Sequence, residues 1–516
     1  MLSRNIRKVV KYSFYSGVTI GGTVVAFKYR DGDYDSLAVV RLSRAAITAV
    51  NIGRTYQSML YSREWDKASK EYIQAKSDAH TIGAAKLLEL CKANKGVYIK
   101  VGQHVGALDY LLPNEYVQTM RVLHKDAPRN SVEELYEVIR EDLKKDPEDL
   151  FEEFDPEPLG TASLAQVHKA KLKDGSEVAV KVQHHFVRKN TKIDLQWMEF
   201  IINVMSKVFP DFQMQWLVDE TKKNITKELD FLQEGRNAEK VSELFKNYTW
   251  LKVPKIYWEY STERVLVMEY VTGGQVNDVK YLEKHNISKP DLCTKLGDLY
   301  SHMIFVTGFV HSDPHPGNIL VHKDPQDKEV SVYLLDHGLY AQLSDKFRYH
   351  YSKLWLSIIA RDRDKIRIHA EHLGIEKELY GLFACMVTGR PWDAIMKGID
   401  KSGPSSDEKT TFQNEIPNFL HYVTQCLEHV DRQALLVLKT NDLIRSIEYS
   451  LGLQERMCGF LVMTKCCTKS IYNLDYKNST SMVKKQLLNL KYTWSLFVLY
   501  IYGYYLHLRN SVRLYS

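Results

Sequence analysis

The chain is 516 residues long, 44% hydrophobic and 26% charged, which suffices for a two-lobed core with extensions. Its net charge of +6 is unevenly spread: residues 1–30 and 476–516 contribute +6 each and contain no acid, which leaves the body at −6. An acidic body argues against a nucleic-acid binder, and seven cysteines without CxxC or His-paired spacing argue against a disulfide framework or a zinc cluster.

The first residues set Arg4, Arg7, Lys8 and Lys11 among apolar side chains, a basic amphipathic pattern similar to a mitochondrial targeting signal. The uncharged run at 12–27, with Gly17, Gly21 and Gly22 inside it, would rise about 24 Å as a helix against a hydrocarbon core of about 30 Å. It reads as an anchor, a re-entrant segment or part of a cleaved signal. A secretory signal is disfavoured, because no small-x-small cleavage site follows. Residues 37–122 read as helices, and 131–145 as a further helix with Ser131 as N-cap and Glu134 completing a capping box. The pattern changes at Leu159: 165–172 and 177–182 read as strands joined by the turn Asp174-Gly175. A helical insertion at 188–222 and a helix at 223–245 come next, then strands at 251–258 and 263–270 and helices at 290–309. Everything beyond Asp345 reads as helix, ending in a stretch at 492–508 without Lys, Arg, Asp or Glu and dense in Tyr and Trp. That composition suits a short membrane span or a helix lying in the interface.

The segment His311-Ser312-Asp313-Pro314-His315-Pro316-Gly317-Asn318 sets an Asp and an Asn five positions apart in a tight loop, and Asp336 ends the apolar run Val332-Tyr333-Leu334-Leu335. Kinase-type phosphoryl transfer needs three such oxygens: one facing the attacking hydroxyl or water and two holding Mg²⁺ against nucleotide phosphates. Taken alone the loop could be an ordinary Pro/Gly-punctuated turn; residues upstream count against that. Val178-Ala179-Val180-Lys181 ends the second hairpin strand with a Lys whose burial is costly without a charge partner, and nucleotide phosphates and Glu234 would supply it. The first hairpin carries Gly160-Thr161-Ala162-Ser163 where a glycine-rich turn would stand, and Cβ atoms at Ala162 and Ala165 should stiffen it. Residues 265–270, Glu269 among them, read as a hinge that meets adenine through backbone groups. Asp336-His337-Gly338 takes the place of Asp-Phe-Gly, with His in the packing position. No Ala-Pro-Glu follows before the helix at Asp345, so a peptide-docking activation segment has no room.

Together these residues closely resemble the UbiB family of atypical kinases, also called aarF-domain-containing kinases, over residues 85–390, and within it a mitochondrial branch. Lys100-Val101-Gly102-Gln103 resembles the family's KxGQ signature, Glu228-Leu229-Asp230 its ExD signature, and 159–168 its Ala-rich nucleotide loop. Without the resemblance, Lys100 and Gln103 would be polar positions on a helix face. The resemblance implies that Asp313 is the catalytic Asp, that Lys181 binds the nucleotide phosphates and pairs with Glu234, and that Asn318 and Asp336 hold Mg²⁺. It also implies that the KxGQ helix covers the place where a protein kinase takes its peptide, with Lys100 and Gln103 approaching Glu228 and Asp230. Gly160-Thr161 stands where many members have Ala or Ser, which bears on nucleotide preference.

The expected architecture is α+β: an atypical protein-kinase-like fold with a small mixed N-lobe, a helical C-lobe, a helical N-terminal extension and terminal segments directed to membrane. The expected organisation is a targeting or anchor segment at 1–30, a helical extension at 31–150, an N-lobe at 151–275, a C-lobe at 276–475 and a membrane-associated segment at 476–516. The expected function is an Mg-ATP-dependent kinase or ATPase in mitochondrial lipid or quinone homeostasis. A nucleotide-binding scaffold for cristae or inner-membrane organisation is the alternative, and a general protein kinase comes third. The expected cofactors are ATP and Mg²⁺, and the expected partners membrane lipid and inner-membrane proteins, without nucleic acid. If the run at 12–27 is retained, the positive-inside tendency puts the body in the intermembrane space.

Overall fold

The computed structural model describes residues 38–66, 69–106, 112–124, 129–208, 215–324, 329–398, 426, 430–453 and 459–513. The basic N-terminal segment and the run at 12–27 therefore lie outside the described residues. Two units make up the chain: residues 1–235 with 255–270, and residues 236–254 with 271–516.

In the first unit, the expected amino-terminal helices are Ala38–Leu60 (α1), Lys70–Asn94 (α2), Val97–Gly106 (α3) and Asn114–Met120 (α4). Their apolar faces meet in a core of Ala45, Leu90, Cys91, Tyr98, Ile99, Val105, Met120 and Leu123. Gly102 in α3 is required by close approach, since a Cβ there would lie 2.3 Å from Leu123 Cδ1. Val132–Leu143 (α5) opens with the predicted capping box: Ser131 Oγ accepts from Glu134 N at 3.3 Å and Glu134 Oε2 from Ser131 N at 3.2 Å.

The strands of the hairpin are Phe151–Thr161 (β1), Ala165–Leu172 (β2) and Glu177–Gln183 (β3); Leu251–Lys252 (β4) belongs to the second unit, and Val265–Glu269 (β5) returns to the first. The antiparallel sheet runs β1-β2-β3-β5. Period-two alternation sends Val178, Val180 and Val182 into the core against Leu135, Val138 and Ile139 of α5, and so turns Lys181 to the other face. The β2–β3 turn is the predicted one, with Gly175 at φ +88° and Ser176 N–H bonded to Asp174 Oδ1 at 2.9 Å.

Three sequence expectations change here. The sheet begins at Phe151, earlier than the pattern change at Leu159 suggested. Pro156 and Pro158 hide β1, yet they are tolerated because β1 is the edge strand and its register shifts between Phe154 and Pro158. The helical insertion is His185–Val208 (α6) and Gln215–Glu228 (α7), and the helix read as 223–245 is broken before Phe231–Leu244 (α8), where the Asp230 carboxylate accepts from Gln233 N–H at 3.0 Å and starts a new helix. The strand read as 251–258 shrinks to β4, a bridge from Ile256 to Met268 and a 3₁₀ turn at Trp258–Tyr260. A buried ion pair from Arg41 to Asp194, 2.5 Å, ties α1 to α6.

The second unit opens its sheet with β4, continues through Gly274–Gln275 (β6), and places a short pair, Phe309–His311 (β7) with Tyr340–Gln342 (β10), on either side in sequence of the hairpin Ile319–Lys323 (β8) and Val330–Leu334 (β9). The four-stranded sheet is ordered β4-β9-β8-β6. Val279–Lys284 (α9) and Lys289–Ser301 (α10) precede β7; the helix read as 290–309 ends in a π turn at His302–Thr307, after which Gly308 lets the chain enter β7. Asp345–Ala360 (α11) follows β10 at once, as the missing activation segment implied. Arg363–His372 (α12), Tyr380–Thr388 (α13), Trp392–Lys397 (α14), Arg432–Ser450 (α15), Phe460–Asn478 (α16) and Met482–Arg513 (α17) complete the helical lobe. The stretch at 492–508 falls inside α17, and no described helix is long and apolar enough to cross a membrane. The six described cysteines are buried.

Candidate functional site

In the first unit, Lys181 leaves β3 on the face opposite the α5 core and meets Glu234 in the first turn of α8. Its Nζ lies 2.6 and 2.8 Å from the two carboxylate oxygens, and Glu234 is 3% exposed. A carboxylate so buried stays ionised only with a cation beside it. The centroid of the Phe231 ring lies 5.0 Å from the ammonium. Asp230 holds this turn in place through its cap on α8.

The β1–β2 turn is closed by a backbone bond and set into the unit. Ala162 N–H bonds Ala165 O at 2.8 Å, and Ser163 and Leu164 are buried. Two side chains brace it. Gln103 Oε1 accepts from Ser163 Oγ at 3.3 Å while its Nε2 donates to Leu123 O at 3.0 Å. His184 donates Nε2–H to Ala162 O at 3.0 Å, and its backbone N–H reaches Leu164 O at 3.0 Å. Burial pushes the His184 imidazole down to about 4, so it stays neutral and keeps one tautomer. Gly160 and Thr161 close β1 opposite Val167 and Gln166, and a Cβ at Gly160 would meet nothing within 4 Å. The turn therefore makes no steric demand for glycine there.

Lys100 Nζ sits 2.7 Å from Glu228 Oε2, with His104 Nε2 3.9 Å from the other oxygen. The structure thus brings together the Lys of KxGQ and the Glu of ExD. Gln103 goes to Ser163 of the nucleotide loop, and the Asp230 carboxylate caps α8. Glu269, at the exposed end of β5, accepts from Lys255 N–H at 3.2 Å and donates its own N–H to Lys255 O at 2.8 Å.

In the second unit, one buried ring organises the loop at 311–318. His311 donates Nε2–H to Asp336 O at 2.8 Å and accepts Asp313 N–H at Nδ1 at 3.1 Å, linking the backbones of both acids. Asn318 Nδ2 donates to Asp336 Oδ2 at 3.3 Å, while Asp336 Oδ1 accepts Gly338 N–H at 2.9 Å. His337, 2% exposed, fills the packing position: Nε2–H donates to Leu334 O at 3.1 Å, Nδ1 accepts from the Tyr340 hydroxyl at 3.0 Å, and its carbonyl accepts from Asn237 Nδ2 at 2.9 Å. Asp313 Oδ1 meets Lys439 Nζ of α15 at 2.7 Å.

Residues 122–370 match the ABC1 atypical kinase-like domain. The chain is 55% identical over 510 residues to AarF domain-containing kinase 1 of Drosophila melanogaster, with 98% of each chain covered. The chain belongs to the ABC1/AarF family of atypical kinases. It is also 46% identical over 505 residues to AarF domain-containing protein kinase 1 of Mus musculus, covering 98% of this chain and 95% of that one. With ABC1 family protein MCP2 of Saccharomyces cerevisiae it shares 35% over 485 residues, covering 89% and 84%.

Among the described residues no group of three or more His, Cys, Asp or Glu is placed to hold a metal ion. Mg²⁺ does not need one, because it is held by one or two protein oxygens with nucleotide phosphates and water completing its shell. The adjoining Asp336 and Asn318 side chains fit that requirement. The residue that motif reading missed is Lys439: it lies 126 positions beyond Asp313 and outside the matched domain, where no local pattern marks it.

Proposed function

We propose that this chain is a mitochondrial membrane-associated atypical kinase or ATPase that binds Mg-ATP and acts in lipid or quinone homeostasis. The observation that carries the reading is the closed Lys181–Glu234 pair, since kinase-type transfer needs this Lys held by its helix carboxylate. On this reading Lys181 holds nucleotide phosphates, and the turn at 160–163 lies along them. The backbone around Glu269 takes the adenine. Asp313 accepts the proton of the attacking hydroxyl or water, and Asp336 with Asn318 holds the metal, which when bound neutralises phosphate charge. The membrane part rests on the acid-free ends and on α17, which exposes Leu487, Leu490, Trp494, Phe497 and Tyr500 beside Lys484, Lys485 and Lys491. The inner membrane, with the body in the intermembrane space, is the favoured location, and protease protection of tagged mitoplasts tests it.

The deciding experiment is ATP turnover by the full chain with Mg²⁺, with and without liposomes of mitochondrial composition, beside Asp336→Asn. Turnover should fall at least about a hundredfold in the variant. Failure of the parent chain to bind nucleotide in Mg²⁺ sinks the reading.

The Lys100–Glu228 and Gln103–Ser163 contacts favour a second reading, a nucleotide-binding scaffold for cristae or inner-membrane organisation that needs no phosphoryl transfer. Retention of cellular function by Asp336→Asn at normal abundance supports it; complete loss counts against it.

A further inference from the structure

We propose that Lys439 is a positioning residue for phosphoryl transfer: from outside the matched kinase-like domain, it supplies the cation that holds the Asp313 carboxylate in its working orientation. The inference rests on the phosphoryl-transfer reading and assigns a residue that neither the catalytic-loop motif nor the matched domain contains.

The loop at 311–318 has no Lys or Arg of its own. His315, two positions after Asp313, is turned back on the loop and accepts Gly317 N–H at Nδ1, 3.0 Å. A charge partner of Asp313 comes from α15, at 2.7 Å. That helix is firmly seated. Val437, Leu438, Thr440 and Asn441, the neighbours of Lys439, are buried. Ser344 N–H bonds Gln433 Oε1 at 2.6 Å near the start of α15, and Arg445 reaches Val387 O further along. The root of the Lys439 side chain is therefore set by packing.

The pair itself adds little to folding. Its side chains are 40% and 45% exposed, and exposed ion pairs of this kind contribute little to stability because water screens them and ordering two side chains costs entropy. Its effect falls on the carboxylate. During transfer the oxygen–phosphorus bond to the attacking hydroxyl or water forms as the bond from phosphorus to the ADP oxygen breaks, and the proton of the nucleophile passes to Asp313. A carboxylate that rotates freely meets that proton in a fraction of its orientations; one tethered at Oδ1 does so reproducibly. The ammonium also offsets negative charge where an anionic phosphate must approach an anionic side chain.

The test compares the full chain with Lys439→Met, Lys439→Arg and Asp313→Asn, measuring kcat, KM, Mg-ATP affinity and thermal midpoint. Lys439→Met should lower kcat about tenfold or more with KM and affinity within about twofold and the midpoint unchanged, and Lys439→Arg should restore most of the rate. Parental kcat in Lys439→Met overturns the assignment, as does equal impairment of the Met and Arg variants. A parent chain without Asp313-dependent turnover overturns the phosphoryl-transfer reading itself and takes the Lys439 role with it.

Discussion

In the first unit the functional ion pair is buried, with Glu234 3% exposed beneath Lys181, whereas in the second unit the side chains of Asp313 and Lys439 are 45% and 40% exposed. The same chemistry, a lysine on a carboxylate at 2.6–2.7 Å, therefore has two different consequences. Out of water the pair is part of the fold, because either partner left alone is an uncompensated charge. In water the pair is nearly neutral for folding and remains able to respond to substrate. Lys181 and Glu234 are held by burial, while Asp313 is held by a contact that can be exchanged.

The largest effect that distinguishes the two settings should follow Lys181→Met, which strands Glu234 and should cost about 3–5 kcal/mol by denaturant unfolding, against about 0–1 kcal/mol for Lys439→Met. Adding Glu234→Met to Lys181→Met should recover much of that loss; if it does not, burial of the charge is not the cause. Acidification should come next. The folded chain holds His184 at about 4 against an ordinary 6.5, so the unfolded chain takes up the proton first as pH falls. Its contribution is complete above pH 6.5 and is lost as the pH drops towards 4, about 3 kcal/mol for this residue. His302 in the second unit, also pushed down to about 4 by burial, adds in the same direction. Melting midpoints should fall across that window, and His184→Gln should flatten the slope in part.

Gly102→Ala should cost about 1–3 kcal/mol, since its Cβ runs into Leu123. Trimming Leu123 to Ala in the same chain should make the added methyl less harmful, and additive losses would point to some other cause. Smallest of all, Gln103→Ala should lower stability by about 1 kcal/mol through its lost bonds to Ser163 and Leu123, while speeding hydrogen exchange in the turn at 162–164. No change in exchange there would show that His184 alone braces the turn.

Much of this could be read from residues in order. The Asp174-Gly175 hairpin, the capping box at Ser131 and Glu134, the partnership of Lys181 with Glu234 and the juxtaposition of Asn318 and Asp336 all depend on short-range geometry or on a motif with known chemistry. Other elements misled. Two prolines concealed β1, because whether proline is tolerated depends on being at a sheet edge, which is a property of the assembled sheet. A single acidic residue, Asp230, split what looked like one helix, since capping and continuing a helix compete for the same short side chain. Lys100 and Gln103 were expected to approach Glu228 and Asp230; Lys100 meets Glu228, and the Gln103 amide bonds Ser163 and Leu123 O, contacts set by how α3 packs.

Residue order alone sets the alternation that turns Lys181 out of its core, the oxygens that kinase chemistry requires and the basic, aromatic character of the carboxyl-terminal helix. These follow from periodicity, turn chemistry and charge, which act within a few residues. Tertiary structure alone decided that α15 brings Lys439 onto Asp313 across 126 positions and that His184 and Gln103 share the bracing of one turn. Such contacts depend on where packed helices and strands end up in space, and no local pattern of residues records that.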